Sequence, residues 1–230
     1  MKEQFQRTVQ LIGEEACRRL SEARVIVFGI GGVGSYVCEA LARAGIGYIE
    51  IVDKDEVDIT NINRQLIALH STVGRPKVDV EFERLKDINP EISVEKRQCF
   101  YLPESADRFN FEEYDYVIDA VDNVTAKIDI IRRSKAACTR VISSMGTGNK
   151  LDAGAFEVAA VEDTSVCPLA RVMRCELKKR GISGVKCVYS RELPRRTDGG
   201  RVPASVSYVP GSAGLLLAGE IIRDLIGLDV

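Results

Sequence analysis

The fold is encoded most clearly in residues 24–65, RVIVFGIGGVGSYVCEALARAGIGYIEIVDKDEVDITNINRQ. An apolar run at 25–28 leads directly into a glycine-rich turn at 29–34, and apolar residues at helical spacing follow it. A second apolar run, 49–52, ends at Asp53. This order of strand, glycine turn, helix, strand and acidic residue is typical of a βαβ unit that binds a nucleotide.

The glycine turn predicts a site for phosphate groups. In such turns one glycine permits the tight bend, a second lets the backbone approach the phosphates, and a third lets the helix pack on the strand. Backbone N–H groups and the helix dipole then face the anion, while Asp53 would accept hydrogen bonds from ribose hydroxyls. The same pattern suits NAD and ATP, and tight packing alone would also explain it. The glycines concerned are Gly29, Gly31, Gly32 and Gly34.

Composition narrows the class of protein. The 230 residues, of which 45% are hydrophobic and 29% charged, predict one globular domain or one domain with an elaboration. No run of about 18 uncharged apolar residues occurs, so we expect no membrane span. The seven cysteines form no C-x-x-C pair, and His70 is the single histidine. A disulfide framework or a zinc site is therefore not expected, and the chain is predicted to be cytoplasmic.

One segment is basic although the whole chain is slightly acidic. Residues 171–201 contain ten Lys or Arg and three acidic residues, a net charge of +7, whereas the rest of the chain carries −9. A local basic block can attract a polyanion, but a solvated helix face and a flexible loop explain the charge equally well. The candidate contacts are Lys178, Lys179 and Arg180 on a predicted helix and Arg195 and Arg196 in a loop.

The order of elements predicts an α/β fold, with a Rossmann-like, doubly wound, mainly parallel sheet that antiparallel C-terminal strands extend. Strands are expected at 25–28, 48–53, 92–99, 116–119, 140–143, 155–161, 185–189 and 205–209. Helices are expected at 3–20, 33–44, 75–88, 124–138, 168–180 and 215–226. Prolines and glycines predict a mobile loop near 190–203.

We expect three parts within this single domain. Residues 1–23 form an N-terminal helical segment, 24–150 form the nucleotide-binding domain, and 151–230 form a C-terminal elaboration that continues the same domain.

Charged and polar residues are predicted to meet at the carboxyl ends of the strands, where open α/β sheets bind ligands. Arg64 and Lys77 follow the second strand and would reach over the same crevice as residues 119–123. Hydride transfer requires no such positive pair, whereas chemistry at a phosphate does, and an aspartate such as Asp122 can hold the Mg²⁺ that bridges phosphoryl oxygens. Helix capping by Asp122 and plain surface charge for Arg64 and Lys77 remain alternatives.

A series of motifs carries a resemblance to a known family. The motifs are Gly29-x-Gly31-Gly32-x-Gly34, Asp53-x-Asp55-x-Val57-x-x-x-Asn61-x-Asn63-Arg64-Gln65, Gly74-x-Pro76-Lys77 and Asp119-x-x-Asp122-Asn123. In this order they resemble the ubiquitin-activating-enzyme-like adenylyltransferases, which include the enzymes that adenylate sulfur-carrier proteins in molybdopterin and thiamine biosynthesis. The resemblance implies that ATP and Mg²⁺ are the cofactors and that 24–150 is an ATP-binding domain.

The resemblance also implies roles for individual residues. Arg64 and Lys77 would surround the triphosphate, Asp122 would coordinate Mg²⁺, and Arg7 would act in trans across a homodimer. The implied cofactor-binding residues, besides the four glycines, are Asp53 at the ribose together with Asp55, Asn61 and Gln65. Some members use a cysteine for covalent transfer, and Cys167 or Cys187, of which Cys187 is the candidate thiol, could be placed that way. Cysteines are more often simply buried small residues, and no charged neighbour in the sequence lowers the pKa of either thiol.

Further motifs select a branch of this superfamily. The segments 143–146, 163–170, 187–190 and 211–214 resemble those of the tRNA threonylcarbamoyladenosine dehydratases, and the paired C-x-x-C motifs of the sulfur-carrier enzymes are missing. This resemblance implies that ATP adenylates the threonyl carboxylate of a modified tRNA adenosine, after which the carbamoyl nitrogen closes a ring and AMP leaves. It implies that tRNA is the partner. It does not decide whether a sulfur-relay protein also takes part.

Two alternatives remain at this point. One is an adenylyltransferase that activates the C-terminus of a ubiquitin-like sulfur carrier, and the other is an NAD-binding redox sensor without catalysis. Arg64 and Lys77 argue against the second alternative.

Overall fold

One seven-stranded sheet forms the centre of the protein in a computed structural model that describes residues 3–196 and 203–228. The strands, β1 to β7 in chain order, are Arg24–Phe28, Tyr48–Val52, Ser93–Arg97, Tyr116–Asp119, Arg140–Ser144, Phe156–Ala160 and Lys186–Ser190. They lie in the order β3-β2-β1-β4-β5-β7-β6, and every neighbouring pair is parallel except β6 and β7. The predicted fold class is therefore confirmed.

Seven α-helices accompany the sheet within the described residues. They are α1 to α7, Gln6–Ile12, Glu14–Glu22, Gly34–Ala44, Lys77–Ile88, Val124–Ala136, Pro168–Lys179 and Tyr208–Ile226. The helix predicted at 3–20 is divided at Gly13, whose φ of 85° and ψ of 163° no helix can contain. None of the helices in the described ranges combines the length and apolar character needed to cross a membrane.

The strand predicted at 205–209 is wrong, because Tyr208 already begins α7. Pro210 lies in the first helical turn, where a missing N–H leaves no hydrogen bond unmade. Gly214 then lets α7 approach α3 closely, since a Cβ there would lie 2.5 Å from the Val33 carbonyl oxygen. Only the last two residues of the predicted strand lie in α7, and residues 205–207 precede the helix without forming a strand.

Each face of the sheet has its own apolar core. Along β1, Val25 and Val27 point into the core that α3, α4 and α7 cover, whereas Ile26 and Phe28 point into the core beneath α5 and α6. Burial on both faces explains why the central strands are continuously apolar rather than alternating.

β6 and β7 belong to the same sheet as β1 to β5. The predicted loop near 190–203 falls partly on residues 197–202, which lie outside the described residues.

The strand order creates a crevice. After β3, at one side of the sheet, the chain crosses to β4 on the other side of β1, so the connections that follow β1 and β4 diverge. Ligands bind α/β sheets at such switch points. Six strands end at this edge, because β7 is parallel to β5 and therefore to β1 to β4.

Candidate nucleotide-binding site

A crevice of about 560 Å³ lies at the carboxyl ends of the strands. It collects most of the predicted site residues, namely Gly29, Gly31, Gly32, Asp53, Asp55, Asn61, Arg64, Gln65, Lys77 and Asp122. Gly34 does not line it but begins α3 directly behind the turn. Residues that follow three separate strands, β1, β2 and β4, therefore share one cavity, as expected from parallel strands.

The glycine turn closes tightly against its surroundings. Gly29 has a φ of 91°, and a Cβ on it would lie 2.7 Å from the Ala120 carbonyl oxygen. A Cβ on Gly34 would lie 1.8 Å from the carbonyl oxygen of Gly29 itself. Gly31, in contrast, has no atom nearer than 4.0 Å to such a Cβ. The outer two glycines are thus required by packing, and Gly31 leaves space on the crevice side.

Asp53 links the glycine turn to the loop after β2. Its Oδ2 accepts a hydrogen bond of 2.6 Å from the backbone N–H of Ile30, and its Oδ1 accepts one of 2.8 Å from that of Asp55. Each carboxylate oxygen can accept a second hydrogen bond. The position predicted to bind ribose is therefore oriented by the protein and retains acceptor capacity toward the crevice.

Lys77 is the buried cation of the site. It begins α4 directly after Pro76, and its side chain is 6% exposed. Its Nζ lies 3.0 Å from Asp55 Oδ2 and 4.0 Å from Asp53 Oδ1. Burial next to two carboxylates removes the alternative that Lys77 is a surface charge.

Arg64 is a second cation, held without a counter-charge. Its Nη1 donates to the Thr60 carbonyl oxygen at 3.1 Å and to Asn63 Oδ1 at 2.9 Å. No carboxylate pairs with it in residues 3–196 and 203–228. Both of its acceptors are neutral, so the guanidinium is oriented while its positive charge stays available to an anion.

Two amide side chains complete this half of the crevice. Asn61 is engaged in the local turn, because its Oδ1 accepts from the backbone N–H of Asp58 at 3.2 Å. Gln65 is buried, and its Oε1 has no hydrogen-bond partner among the described residues. A buried unpaired acceptor is costly unless a ligand donor or water satisfies it, so the free Oε1 of Gln65 agrees with the predicted ligand contact.

Asp122 is free to bind a ligand. The N-cap of α5 is Asn123, whose Oδ1 accepts from the Ala126 backbone N–H at 3.0 Å, so Asp122 is not the cap. Its side chain is exposed to the crevice. The described ranges contain no group of three or more His, Cys, Asp or Glu side chains suited to a metal ion. Mg²⁺ in nucleotide sites commonly uses one or two carboxylates plus substrate phosphates, so a single free aspartate fits that ion.

Sequence reasoning missed the Lys127 network below the crevice. Lys127 is fully buried, and its Nζ lies 2.9 Å from Asp119 Oδ2, 3.0 Å from the Val121 carbonyl oxygen and 2.8 Å from that of Ser144. Ser143 Oγ also donates to Asp119 Oδ2 at 2.5 Å. This network ties the loop after β4 to the end of β5. The sequence signal that could have revealed this buried cation is the position of Lys127 on the apolar stripe of α5.

Comparison with known proteins identifies the family. A model of the ThiF family matches residues 4–229. The chain belongs to the ThiF family.

Several relatives of this ThiF-family chain carry functional names. The tRNA threonylcarbamoyladenosine dehydratase of Bacillus subtilis is 42% identical over 243 residues, which cover 98% of this chain and 96% of that protein. The crystal structure of the E. coli dehydratase in complex with ATP matches with a TM-score of 0.91 at 33% identity and covers 98% of this chain and 94% of that one. The adenylyltransferase and sulfurtransferase MOCS3 of Culex quinquefasciatus is 40% identical over 116 residues, which are 50% of this chain and 26% of that protein.

Arg7 does not line the crevice of its own ThiF-family chain. It is exposed on α1, and its neighbours contact residues that precede strands. Gln4 Nε2 donates to the Ile88 carbonyl oxygen at 3.4 Å, just before β3, and the Phe5 ring lies 3.6 Å from a Cβ built on Gly45, just before β2. Arg7 is therefore near the amino ends of the strands, at the edge opposite the crevice.

The predicted basic block is divided by the structure. α6 begins beside the crevice and runs back to the opposite edge of the sheet, where β7 starts. Lys178, Lys179 and Arg180, at its end, were expected at the crevice but lie away from it. Lys179 and Arg180 each form an ion pair of 2.6 Å with Glu176. Arg195 and Arg196 are exposed after the carboxyl end of β7, at the crevice edge of the sheet.

Cys187 is not the accessible thiol that the sequence suggested. It lies on β7 with no exposed surface, and burial raises its pKa to about 12. A thiol is a nucleophile only as the thiolate, so a raised pKa and a buried position both oppose covalent catalysis there. Cys167 is also buried, with 1% of its surface exposed.

Proposed function

We propose that this ThiF-family protein is an ATP-dependent enzyme that adenylates the threonyl carboxylate of N6-threonylcarbamoyladenosine in tRNA and then allows its cyclising dehydration. Two observations together carry the proposal. The crevice holds Arg64, Lys77 and an Asp122 that is unpaired among the described residues, as an adenylating enzyme requires, and the whole chain is similar to relatives that are named for this reaction. The sulfur-carrier alternative has similarity over only half of the chain to support it.

The first step is transfer of an adenylyl group. A threonyl carboxylate oxygen attacks the α-phosphorus of ATP, and pyrophosphate leaves. Arg64 and the buried Lys77 stabilise negative charge that develops on phosphoryl oxygens, and backbone N–H groups at the start of α3 add to this effect. Mg²⁺, when held by Asp122, would neutralise and orient the phosphates.

The second step is ring closure within the substrate. The carbamoyl nitrogen attacks the activated acyl carbon and loses its proton, and the acyl–phosphate bond breaks to release AMP. The carboxylate oxygen departs with AMP, so the nucleoside loses the mass of one water. This step requires no enzyme nucleophile, which agrees with the burial of Cys167 and Cys187.

We further propose a homodimer in which Arg7 completes the crevice of the partner subunit. Its exposure and its place opposite its own crevice support this role. Hybrid dimers test it. An Arg7→Ala chain and an Asp122→Ala chain are each expected to be inactive, and co-expression should restore activity, because one of the two crevices in a hybrid then has both groups. Failure to restore activity would contradict action in trans.

We also propose a cytoplasmic location, because tRNA is modified there and all seven cysteines are free thiols, as in a reducing compartment.

The deciding experiment measures AMP released from ATP and Mg²⁺, with unmodified tRNA and with tRNA bearing the threonylcarbamoyl group. We expect AMP only with the modified tRNA, together with loss of one water from the nucleoside. Asp122→Ala should lower kcat more than it changes ATP affinity, since its role concerns the reacting phosphate. AMP release that instead requires a protein with a free Gly-Gly C-terminus would refute the proposal in favour of the sulfur-carrier alternative.

A further inference from the structure

A second cavity, of about 430 Å³, adjoins the crevice across the first turn of α6. We name it the arginine groove, and its lining residues are Val166, Cys167, Pro168, Arg171, Val172 and Arg174. The next residue of that turn, Leu169, lines the crevice itself. Cys167 Sγ lies 3.8 Å from the place of a Cβ on Gly146, which also lines the crevice. Groove and crevice are therefore separated by about one helix diameter, ~10 Å.

The groove carries two positive charges that no carboxylate offsets in the part of the chain that the structure describes. Arg174 Nη1 donates to the Thr164 carbonyl oxygen at 2.7 Å and to Thr164 Oγ1 at 2.5 Å, so neutral acceptors fix the guanidinium in place. Arg171 is exposed and pairs with no acidic side chain of those residues. Farther along α6, Lys179 and Arg180 both pair with the carboxylate of Glu176.

Apolar surface accompanies these charges. Val166 is 43% exposed and Val172 is 44% exposed, although most of the remaining apolar side chains in this region are buried. A guanidinium binds phosphate in a bidentate manner and also stacks on planar bases. Unpaired RNA presents both features, a phosphate and a base released from its stack. A nucleotide of single-stranded RNA therefore matches the groove in charge and in polarity.

We propose that the arginine groove binds the nucleotide next to the modified adenosine, with its phosphate on Arg171 and Arg174 and its base or sugar on Val166 and Val172. This inference rests on the proposed function, since the crevice must hold the adenosine. Adjacent nucleotides of one strand then occupy crevice and groove on the two sides of the first turn of α6. The groove gives the enzyme a preference for RNA over the free modified nucleoside.

The test compares Arg171→Gln and the double variant Arg171→Gln/Arg174→Gln with Lys178→Gln. Lys178 is the matched control, because it is an exposed cation on the same helix but at the edge away from the crevice. The double variant should raise KM for modified tRNA about tenfold and should reduce the magnitude of the slope of log(kcat/KM) against log salt by about 0.7, the effect of one neutralised phosphate on a single strand. kcat at saturating tRNA and KM for ATP should not change.

Three outcomes separate this inference from the function on which it rests. If the wild-type protein releases no AMP with modified tRNA, the proposed function fails. If it does, and the double variant keeps the wild-type KM and salt slope, the groove is not an RNA site. If Lys178→Gln weakens tRNA binding as much as the double variant, the effect is one of general charge and the inference fails. With the free modified nucleoside as substrate, all variants should equal the wild type, because no neighbouring phosphate is present.

Discussion

Replacing Lys127 by methionine tests whether the buried network below the crevice is both charged and structural. The ammonium makes three contacts of 2.8–3.0 Å, one of them with Asp119, and both side chains are fully buried. Methionine has similar length and adapts to irregular packing, so the substitution removes the charge and the donors while leaving little cavity. Among the described residues, Asp119 then keeps the hydroxyl of Ser143 and the backbone N–H of Val121 as its donors.

The expected loss follows from this geometry. Removing one partner of a buried ion pair leaves an uncompensated charge and destabilises a protein by about 3–5 kcal/mol. The free energy of unfolding of a typical domain is about 5–15 kcal/mol, so the variant should unfold at a clearly lower urea concentration than the wild type. Asp119→Asn combined with Lys127→Met removes both charges. The double variant should therefore be more stable than Lys127→Met alone, although it remains less stable than the wild type.

Urea unfolding gives the free energies, and a double-mutant cycle isolates the coupling between the two side chains. ATP-dependent AMP release should also fall in Lys127→Met at temperatures where the variant is folded, because Val121 precedes Asp122 in the loop that the ammonium holds. A loss below about 1 kcal/mol, or a double variant no more stable than the single one, would refute the reasoning, since either result means that no buried charge was left behind.

The remaining predictions concern three other sites. Gly34→Ala should destabilise the protein by about 3 kcal/mol, because its Cβ would overlap the Gly29 carbonyl oxygen, whereas Gly31→Ala should leave stability unchanged and weaken ATP binding. Glu81→Gln should stabilise the protein at neutral pH, because Glu81 is fully buried without a hydrogen-bond partner among the described residues and burial raises its pKa. Val166→Gly should add about 1 kcal/mol of stability, because a valine at φ 46° is strained.

The pH dependence at Glu81 has a definite sign. Its folded-state pKa is raised, first by burial and then by Glu39, while the unfolded-state pKa is near 4.3. Above pH ~4.3 the folded state binds more protons than the unfolded state, so stability falls as pH rises toward the folded-state pKa. The wild type should therefore lose stability relative to Glu81→Gln by about 1.4 kcal/mol per pH unit in that window. Parallel curves of unfolding free energy against pH would contradict this.

The other two predictions have equally direct controls. Equal melting temperatures of Gly31→Ala and Gly34→Ala would show that the glycine turn tolerates a Cβ at either position. A Val166→Gly variant that is less stable than the wild type would show that the loop before α6 holds no strain worth relieving, and thermal unfolding at fixed pH measures both effects.

The residues of the crevice were accessible from the sequence because they are set by local order. Asp53 follows an apolar strand and Asp122 follows another, and parallel strands with right-handed crossovers bring such ends to one edge. Lys77 was also found in this way, since Pro76 marks the start of its helix. The prediction failed for 205–209, where the last two residues begin α7 and the helix packs closely on α3.

Sequence was therefore sufficient for the fold class and for the set of side chains around the crevice, because both depend on short spacings and on the direction of strands. Tertiary structure alone showed which charges are compensated. Lys127 forms an ion pair with Asp119 beneath the site, and Lys179 forms one with Glu176 at the far edge. Arg174, in the arginine groove, donates to neutral acceptors instead. Charge type and sequence position do not separate these three cations, because burial and pairing arise from how each helix lies on the sheet.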